Sequence, residues 1–234
     1  MSIFLHRAGI MSKKLVNQFP STIAYVGTNG ATNNSNSYTF NTEPVGAEVT
    51  DRRILVGIYT GNEAITSATC NTNAMTRLAS FEPVGNRNFE FYIIDEDTGT
   101  TANFVFNTDG SNATQIRFFV WNVFGGVVDT PHDTDETALV AGTPATFPMS
   151  LTCPDNSSVA AITIARDNSD GTTNDVSWVG ATVRANEDGE GIGNIGEKIS
   201  AADATVVTPT TLNVTASYTL KGSNSGSAAC CLCL

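Results

Sequence analysis

The stretch Thr211-Leu-Asn-Val-Thr-Ala-Ser-Tyr-Thr-Leu220 alternates small polar residues with apolar ones at every second position. The apolar set is Leu212, Val214, Ala216, Tyr218 and Leu220. Because successive side chains of a β-strand point to opposite faces, this alternation places one face in a core and the other in solvent. The stretch therefore predicts a half-buried antiparallel strand.

Short runs of the same character recur along the chain. They cover residues 22–26, 37–40, 53–60, 75–81, 88–94, 102–106, 116–124, 158–165 and 176–183. Turn signals separate many of them, among them Asp97-Thr-Gly99, Asp109-Gly110 and Asp170-Gly171. No apolar period of 3.6 residues persists beyond two turns. About ten to thirteen strands at this spacing predict an all-β fold, an antiparallel β-sandwich of jelly-roll-like type.

This pattern predicts that the chain has three parts. We expect residues 1–20 to form an extended N-terminal docking arm, residues 21–222 a β-sandwich domain, and residues 223–234 an apolar C-terminal tail that contains cysteines. An acidic segment at 129–144 predicts a long surface loop, because it has no apolar period. Strand character resumes at Phe147 without a flexible linker, which favours one domain over two.

Charge separates the arm from the rest of the chain. The first 42 residues contain no Asp or Glu but carry Arg7, Lys13 and Lys14, a net charge of +3. The remaining residues hold nine of the 12 basic side chains and all 23 acidic ones, a net charge of −14. This asymmetry indicates an acidic partner for the arm, such as a second copy. Binding of nucleic acid is disfavoured, since residues 43–234, called the body, lack the clustered Lys and Arg that neutralise phosphates.

Membrane and export segments are not predicted. No run approaches the roughly 18 apolar residues of a membrane span, and His6 and Arg7 interrupt the apolar stretch at the N-terminus. The five cysteines do not have the spacing of a disulfide framework, because Cys230, Cys231 and Cys233 crowd the C-terminus. We expect reduced thiols and assembly in a cytosol.

The sequence contains motifs that resemble cofactor and metal sites, but each lacks the neighbouring residues or elements that such a site requires. Residues 191–196 read Gly-Ile-Gly-Asn-Ile-Gly, a dinucleotide fingerprint, but no strand–helix alternation surrounds them and acidic residues precede them. The cysteines at the C-terminus lack the second ligand pair of a tetrahedral zinc site. The acidic residues Asp95 and Asp97, and those around Asp133, leave Ca²⁺ binding open, with exposed turn charge favoured. We therefore expect no cofactor and no metal.

Enzymatic chemistry is disfavoured on similar grounds. Asp97-Thr-Gly99 copies the catalytic triplet of aspartic proteases but sits where a hairpin turn is expected. No Gly-x-Ser-x-Gly elbow is present. A carbohydrate-binding face stays open, because sugar platforms need only a few exposed aromatic rings. The candidate rings are Trp121, Trp178, Tyr25, Tyr38 and Tyr92.

The arm is too apolar for a free solvated tail. It can fold back as an edge strand of its own domain or add as a strand to a partner, with alternate side chains as anchors. We predict an assembly interface in the arm, formed by Ile3, Phe4, Leu5, His6, Arg7, Ile10, Met11, Lys13 and Lys14.

Several segments together resemble the β-rich virion proteins of tailed bacteriophages. They are Phe4-Leu-His-Arg-Ala-Gly9, Tyr38-Thr-Phe40, Asp51-Arg-Arg-Ile-Leu-Val-Gly57, Ile65-Thr-Ser-Ala-Thr69, Arg117-Phe-Phe-Val-Trp-Asn-Val123 and the closing Thr/Ser-rich strand. The cysteine-rich C-terminus departs from this likeness. The resemblance implies a structural part of a particle, in the tail, in an appendage or on the capsid, and no catalytic residues.

We accordingly expect a non-enzymatic structural protein of a bacteriophage particle, a tail or appendage component that is assembled through its arm. Its expected partners are other virion proteins and copies of itself, its location the virion, and its place of assembly the host bacterial cytoplasm. The alternatives are a capsid decoration or cement protein, and a carbohydrate-binding module that recognises a host-surface glycan.

Overall fold

The computed structural model describes residues 22–84, 87–109, 113–125, 130–138, 145–167, 175–189, 196–219 and 227–234. Over these residues the chain forms seventeen β-strands in antiparallel sheets and no helix, so none of the described segments is a helix that could cross a membrane. The predicted all-β class is confirmed. The number of strands exceeds the ten to thirteen expected, because short polar edge strands carry no apolar alternation.

Most consecutive strands belong to different sheets. In the first half they are β1 (Thr22–Ala31), β2 (Ser37–Pro44), β3 (Arg52–Gly61), β4 (Ile65–Cys70), β5 (Asn73–Ala74), β6 (Thr76–Val84), β7 (Arg87–Asp95), β8 (Thr101–Thr108) and β9 (Gln115–Phe124). In the second half they are β10 (Asp133–Ala138), β11 (Ala145–Cys153), β12 (Ser157–Asp167), β13 (Ser177–Val179), β14 (Thr182–Gly189), β15 (Gly196–Val206), β16 (Thr210–Tyr218) and β17 (Ala228–Cys233). The exceptions, in which consecutive strands share a sheet, are β4–β5, β6–β7 and β14–β15.

Four sheets result, two from each half of the chain. Sheet I has the strand order β1-β9-β3-β7-β6, and sheet II has β2-β8-β4-β5. Sheet III has the order β10-β17-β12-β15-β14, and sheet IV has β11-β16-β13. Sheets I and II enclose one apolar core, and sheets III and IV enclose another. The chain thus builds two sandwiches.

A third core joins the two sandwiches through their five-stranded sheets. Sheet I contributes aromatic side chains and sheet III contributes aliphatic ones, including Phe91, Phe119, Trp121, Ile162 and Leu232. The layer order is therefore II, I, III, IV. Both faces of sheets I and III are buried, which explains why their central strands read as nearly continuous apolar runs rather than alternating ones.

Strand β3 shows this double burial directly. Ile54, Val56 and Ile58 face the core shared with sheet II, whereas Leu55 and Tyr59 face the core shared with sheet III. Gly57 lies on the second face, where an added Cβ would come within 2.5 Å of Ile162 Cδ1 from β12. The absence of a side chain at Gly57 therefore allows the two sandwiches to approach closely.

The C-terminal residues form a buried strand, whereas the sequence suggested an apolar tail. Ala228–Cys233 form β17, which pairs with β10 on one side and with β12 on the other. Every residue of β17 is buried. Alanine and cysteine suit this strand because small side chains fit between two closely packed neighbouring sheets. Residues 220–226 lie outside the described part of the chain.

The packing at Gly57 gives a first prediction. Gly57→Ala should lower the free energy of unfolding by about 1–3 kcal/mol, because the new methyl group overlaps Ile162. Ile162→Val alone removes the overlapping Cδ1 and should cost about 0.5–1.5 kcal/mol. The double variant should be more stable than the sum of the two costs implies, by at least about 0.5 kcal/mol. Urea denaturation of the four proteins measures this coupling.

Gly27→Ala is the matched control, since its Cβ would meet nothing within 4 Å. It should change the free energy of unfolding by less than about 0.5 kcal/mol. Strict additivity between Gly57→Ala and Ile162→Val would contradict the close approach of the two sandwiches at this point.

Candidate assembly surface

The residues predicted to form the assembly interface all lie in residues 1–21, outside the described part of the chain. They are Ile3, Phe4, Leu5, His6, Arg7, Ile10, Met11, Lys13 and Lys14. The structure does describe the surfaces that an arm of this kind could meet. Strand addition needs a sheet edge, so the edges of the four sheets are the relevant surfaces.

The sheet edges lie on two sides of the body. On one side are β2, β1, β14 and β13, since β1 contacts β2 and sheet III, and β13 leads directly into β14. On the other side are β5, β6, β10 and β11, where β10 contacts both β6 and β11. On both sides of the C-terminal sandwich, side chains of an edge strand of sheet III bind backbone groups of the segment that faces them.

Side chains from β10 close the edge between sheets III and IV. Asp133 Oδ2 accepts a hydrogen bond from the Thr152 backbone N–H at 2.7 Å, and Asp135 Oδ2 accepts one from Ser150 at 2.7 Å. The Thr137 hydroxyl donates to the carbonyl of Pro148. Alternate side chains of β10 thus satisfy the outward backbone groups of β11, which pairs with β16 on its other side.

This arrangement revises the loop expected at 129–144. Residues 133–138 form an edge strand, while 126–129 and 139–144 lie outside the described residues. The Asp133 and Asp135 carboxylates, considered above as Ca²⁺ ligands, instead accept backbone hydrogen bonds that close a sandwich. Their spacing of two residues is the strand period, which brings both to the same face.

The opposite edge of the C-terminal sandwich is bridged by Asn186 of β14, whose Oδ1 accepts a hydrogen bond from the Val176 N–H and whose Nδ2 donates one to the Val176 carbonyl, both at 3.2 Å. Within the described residues β14 pairs with β15 alone, and β13 pairs with β16 alone. Val179 on β13 is 68% exposed and Val183 on β14 is 39% exposed, two of the few large apolar side chains at the described surface. A bulge between Val183 and Ala185 interrupts the β14 ladder at Arg184.

The far end of β14 is acidic. Glu187 and Asp188 follow each other there, and the Asp188 side chain is 87% exposed. Lys198 Nζ lies 2.6 Å from Asp188 Oδ1 and 3.1 Å from Asp175 Oδ1, so one cation serves two carboxylates. The edge of β14 therefore carries an exposed valine near its start and net negative charge near its end.

Polar contacts also cross the core between sheets I and III. Trp121 Nε1 donates a hydrogen bond to Asp203 Oδ2 at 3.0 Å, and Arg184 binds the same carboxylate through Nε and Nη2 at 2.9 Å. Asp203 is buried, so the guanidinium compensates a charge that would otherwise be costly. The bulged Arg184 of β14 is thereby fixed to the core.

A second buried carboxylate, Glu197, lies at the other end of this core. Glu197 Oε2 accepts a hydrogen bond from Gln115 Nε2 at 2.7 Å, and Oε1 accepts one from the Tyr59 hydroxyl at 3.3 Å. Burial raises the pKa of the Glu197 carboxyl, although the hydrogen bond from Gln115 opposes this effect. Burial likewise raises the pKa of Glu90, which accepts hydrogen bonds from Tyr92 and the Ile65 N–H.

These carboxylates are spread through the packed interior. Glu197 and Asp203 lie between sheets I and III, and each is fully engaged by protein donors. Asp97-Thr-Gly99 connects β7 to β8, which belong to different sheets, so it is not the hairpin turn expected. The carbonyls of Thr98 and Gly99 accept hydrogen bonds from the buried Arg52 guanidinium at 2.8 and 2.9 Å. The triplet is part of a structural corner.

The cysteines serve as core residues. All five are buried and free of disulfide bonds. Cys231 and Cys233 face the core shared with sheet IV, together with Cys153, whereas Cys230 faces sheet I. Burial raises the pKa of Cys230 and Cys231, which keeps both thiols protonated. Among the described residues no three His, Cys, Asp or Glu side chains are grouped to hold a metal ion.

The aromatic rings considered for a sugar platform are mostly inside. Trp121, Trp178, Tyr38 and Tyr92 are buried, and Tyr25 is half-buried with its ring 5.9 Å from that of Trp121. These five rings therefore do not form an exposed platform. The glycine-rich segment at 191–196 lies outside the described residues except for Gly196, which begins β15.

The edge strand β14 was not predicted from the sequence beyond Val183. Residues 182–189 read Thr-Val-Arg-Ala-Asn-Glu-Asp-Gly, which has neither apolar alternation nor a turn signal before Gly189. In the sequence, Glu187 and Asp188 stand out only as acidic residues that precede the glycine-rich segment 191–196. The one usable signal was the apolar Val183 beside a charged residue in an otherwise polar stretch.

The closed edge gives a second prediction. Asp133→Ala/Asp135→Ala removes two acceptors and should lower the free energy of unfolding by about 1 kcal/mol or more. Amide hydrogen exchange at Ser150 and Thr152 should accelerate, and the exposed β11 edge should promote self-association at high concentration. The double Asn variant keeps an acceptor oxygen at each position and should behave like the wild type. Unchanged exchange at both amides in the alanine variant would exclude this closure.

The buried Glu197 gives a third prediction. Because its folded pKa is raised above the ordinary value of 4.5, its favourable contribution is fully present below that value and is lost as the pH rises through the raised pKa. Glu197→Gln should therefore gain stability relative to the wild type at neutral pH, and this gain should shrink on acidification. Urea denaturation between pH 4 and 8 measures it.

Tyr59→Phe serves as the comparison for this pH series, since it removes a neighbouring hydroxyl but keeps the buried carboxyl. Like the wild type, Tyr59→Phe should gain free energy of unfolding relative to Glu197→Gln as the pH falls. A difference between wild type and Glu197→Gln that does not vary with pH would contradict the raised pKa.

Comparison with known proteins adds little to this geometry. No protein-family model and no curated protein matches the chain. Among solved structures it is similar to a turret protein of Sulfolobus turreted icosahedral virus, with 11% sequence identity, over 91% of this chain and 97% of that chain. The TM-score is 0.19. Backbones at this score do not superpose as one fold, so the proposals below rest on the residues and geometry of this chain.

Proposed function

We propose that this chain is a non-enzymatic structural protein of a virus particle. The observation that supports this most directly is the exposed apolar surface on the β13–β14 side of the C-terminal sandwich, where Val179 is 68% exposed and Val183 is 39% exposed. On that side no described strand pairs with the outer backbone edges of β13 and β14. Natural proteins protect free edges, so an edge left open beside exposed valines is suited to a partner strand.

The finer assignment is a tail or appendage component of a bacteriophage. It draws on the resemblance of the sequence to β-rich virion proteins and on the basic, apolar arm that precedes β1. In this function the four-layer body forms part of the particle, and Ile3–Lys14 attaches each subunit to a neighbour. The partners are other virion proteins and copies of this chain.

Charge and thiol chemistry agree with this function. A body with a net charge of −14 repels nucleic acid and stays soluble at high local concentration before assembly. Five buried free thiols suit folding in a reducing compartment, here the cytoplasm of the host bacterium. The buried carboxylates are engaged in hydrogen bonds within the fold, which is why we assign them structural rather than catalytic roles.

Deletion of residues 1–14 tests this function. The truncated body should remain folded, because the deleted residues precede β1 and every described strand is retained. It should lose self-association in light scattering and fail to enter particles in a phage complementation assay. The control is the full-length chain with the single substitution Ser2→Ala, which keeps Arg7, Lys13 and Lys14 and should assemble normally. Normal incorporation of the truncated chain would rule out assembly through the arm.

A further inference from the structure

We infer that Cys153 and Cys233 are a disulfide-forming pair, which a low-molecular-weight disulfide oxidises to a covalent bond within the chain. The bond joins the end of β11 in sheet IV to the end of β17 in sheet III. It turns a contact between two sheets of the C-terminal sandwich into a cross-link. The inference goes beyond the proposed function and does not depend on it.

Both cysteines lie at one corner of the C-terminal sandwich. Asp133 lies opposite Cys233 in the β10–β17 ladder, so their side chains share one face of sheet III. That face meets sheet IV, because Asp133 Oδ2 accepts the hydrogen bond from the Thr152 N–H at 2.7 Å. Since Thr152 is exposed and the next residue, Cys153, is buried, the Cys153 side chain points inward from β11. Asp133 thus holds the two strand ends together.

The two strands and the two thiols approach closely at this corner. Cα atoms of β11 and β17 come within 8 Å of each other, less than the roughly 10 Å between the layers of an ordinary sandwich. Cys153 and Cys233 belong to the same apolar core, and their thiols form a hydrogen bond with each other. Sulfur atoms in such contact need to shift by only about 2 Å to reach bonding distance.

The remaining cysteines are less suitably placed. Cys70 lies in the core between sheets I and II, and Cys230 faces the core between sheets I and III. Cys231 shares the face of Cys233 on β17. Two residues apart on one strand, these two have Cα atoms about 6.7 Å apart and parallel side chains, which disfavours a bond between them.

Cys231 is also further from Cys153 than Cys233 is. Cys231 lies opposite Asp135, whose Oδ2 accepts the hydrogen bond from the Ser150 N–H at 2.7 Å. Cys231 is therefore at the level of Ser150, three residues before Cys153 on β11. The ladder thus selects Cys233 as the partner of Cys153.

The environment of the pair makes Cys233 the attacking thiol. Hydrogen bonds with the Cys153 and Ser157 side chains lower the pKa of Cys233, although burial opposes this effect. The Cys233 thiolate attacks one sulfur of the external disulfide RSSR, forms a mixed disulfide and releases one RS⁻. Cys153 then loses its proton, and its sulfur attacks the Cys233 sulfur and expels the second RS⁻. Two protein thiols are oxidised, and RSSR is reduced to two RSH, which take up the two protons.

The pair is buried but lies next to the surface. Cys153 directly precedes the turn 154–156, in which Asp155 is exposed. Local opening of this turn brings the oxidant to the thiols. Oxidation should therefore be slower than that of a surface thiol but should not require global unfolding.

Oxidation of the full-length protein by oxidised glutathione tests the pair. Two of the five free thiols should be consumed, and peptide mapping after alkylation in denaturant should find Cys153 joined to Cys233. The oxidised protein should melt at least about 5 °C above the reduced protein, because the bond closes a loop of about 80 residues. Retention of all five thiols, a lasting mixed disulfide with glutathione, or a bond between any other two cysteines would overturn the inference.

Three variants show which thiols are needed. Cys231→Ala is the matched control, because it removes a neighbouring buried thiol and should keep both the bond and the rise in melting temperature. Cys153→Ala and Cys233→Ala should each lose both, and Cys153→Ala should accumulate a mixed disulfide at Cys233. A bond that persists in either of these two variants, or that is lost in Cys231→Ala, contradicts the assignment. If Cys153→Ala does not fold, the peptide maps of the wild type and of Cys231→Ala decide the question.

Discussion

The close packing of sheet I against sheet III is the constraint on which the rest of the structure depends. It requires both five-stranded sheets to be apolar on both faces, and it requires Gly57 at the point where Ile162 crosses the interface. The outer sheets II and IV need to be apolar on one face only. The same packing turns β17 into an interior strand, so its alanines and cysteines meet a core on either face.

Two buried carboxylates interrupt this otherwise apolar layer, and each depends on donors from the opposing sheet. Asp203 is held by Trp121 from sheet I and by Arg184 from its own sheet, and Glu197 by Gln115 and Tyr59 from sheet I. A buried carboxylate without donors would be strongly unfavourable, so these contacts fix how the two sandwiches are aligned. Asp203 also fixes the bulge of β14, which links the shape of this edge strand to the core.

The sequence allowed the fold class to be predicted but not the layering. Alternation such as that of 211–220 reveals a half-buried strand, and β16 has that pattern, with Val214, Ala216 and Tyr218 in the core. Doubly buried strands such as β3 and β17 carry no alternation, and their apolar runs do not say which sheets cover them. Polar edge strands such as β10 and β14 are harder still to predict, because backbone pairing at a sheet edge does not require an alternation of apolar and polar side chains. The edge strands could therefore be identified only from the three-dimensional structure, and the predicted arm residues lie outside the described part of the chain.

The edge strand β14 has two features that disfavour pairing with another copy of β14. A bulge at Arg184 interrupts its ladder, and Glu187 and Asp188 place negative charge beside any equally acidic strand. The bulge is held in place from inside the molecule, because Arg184 binds the buried Asp203 carboxylate. The carboxylate that helps to align the two sandwiches therefore also shapes an edge that is protected against pairing with itself.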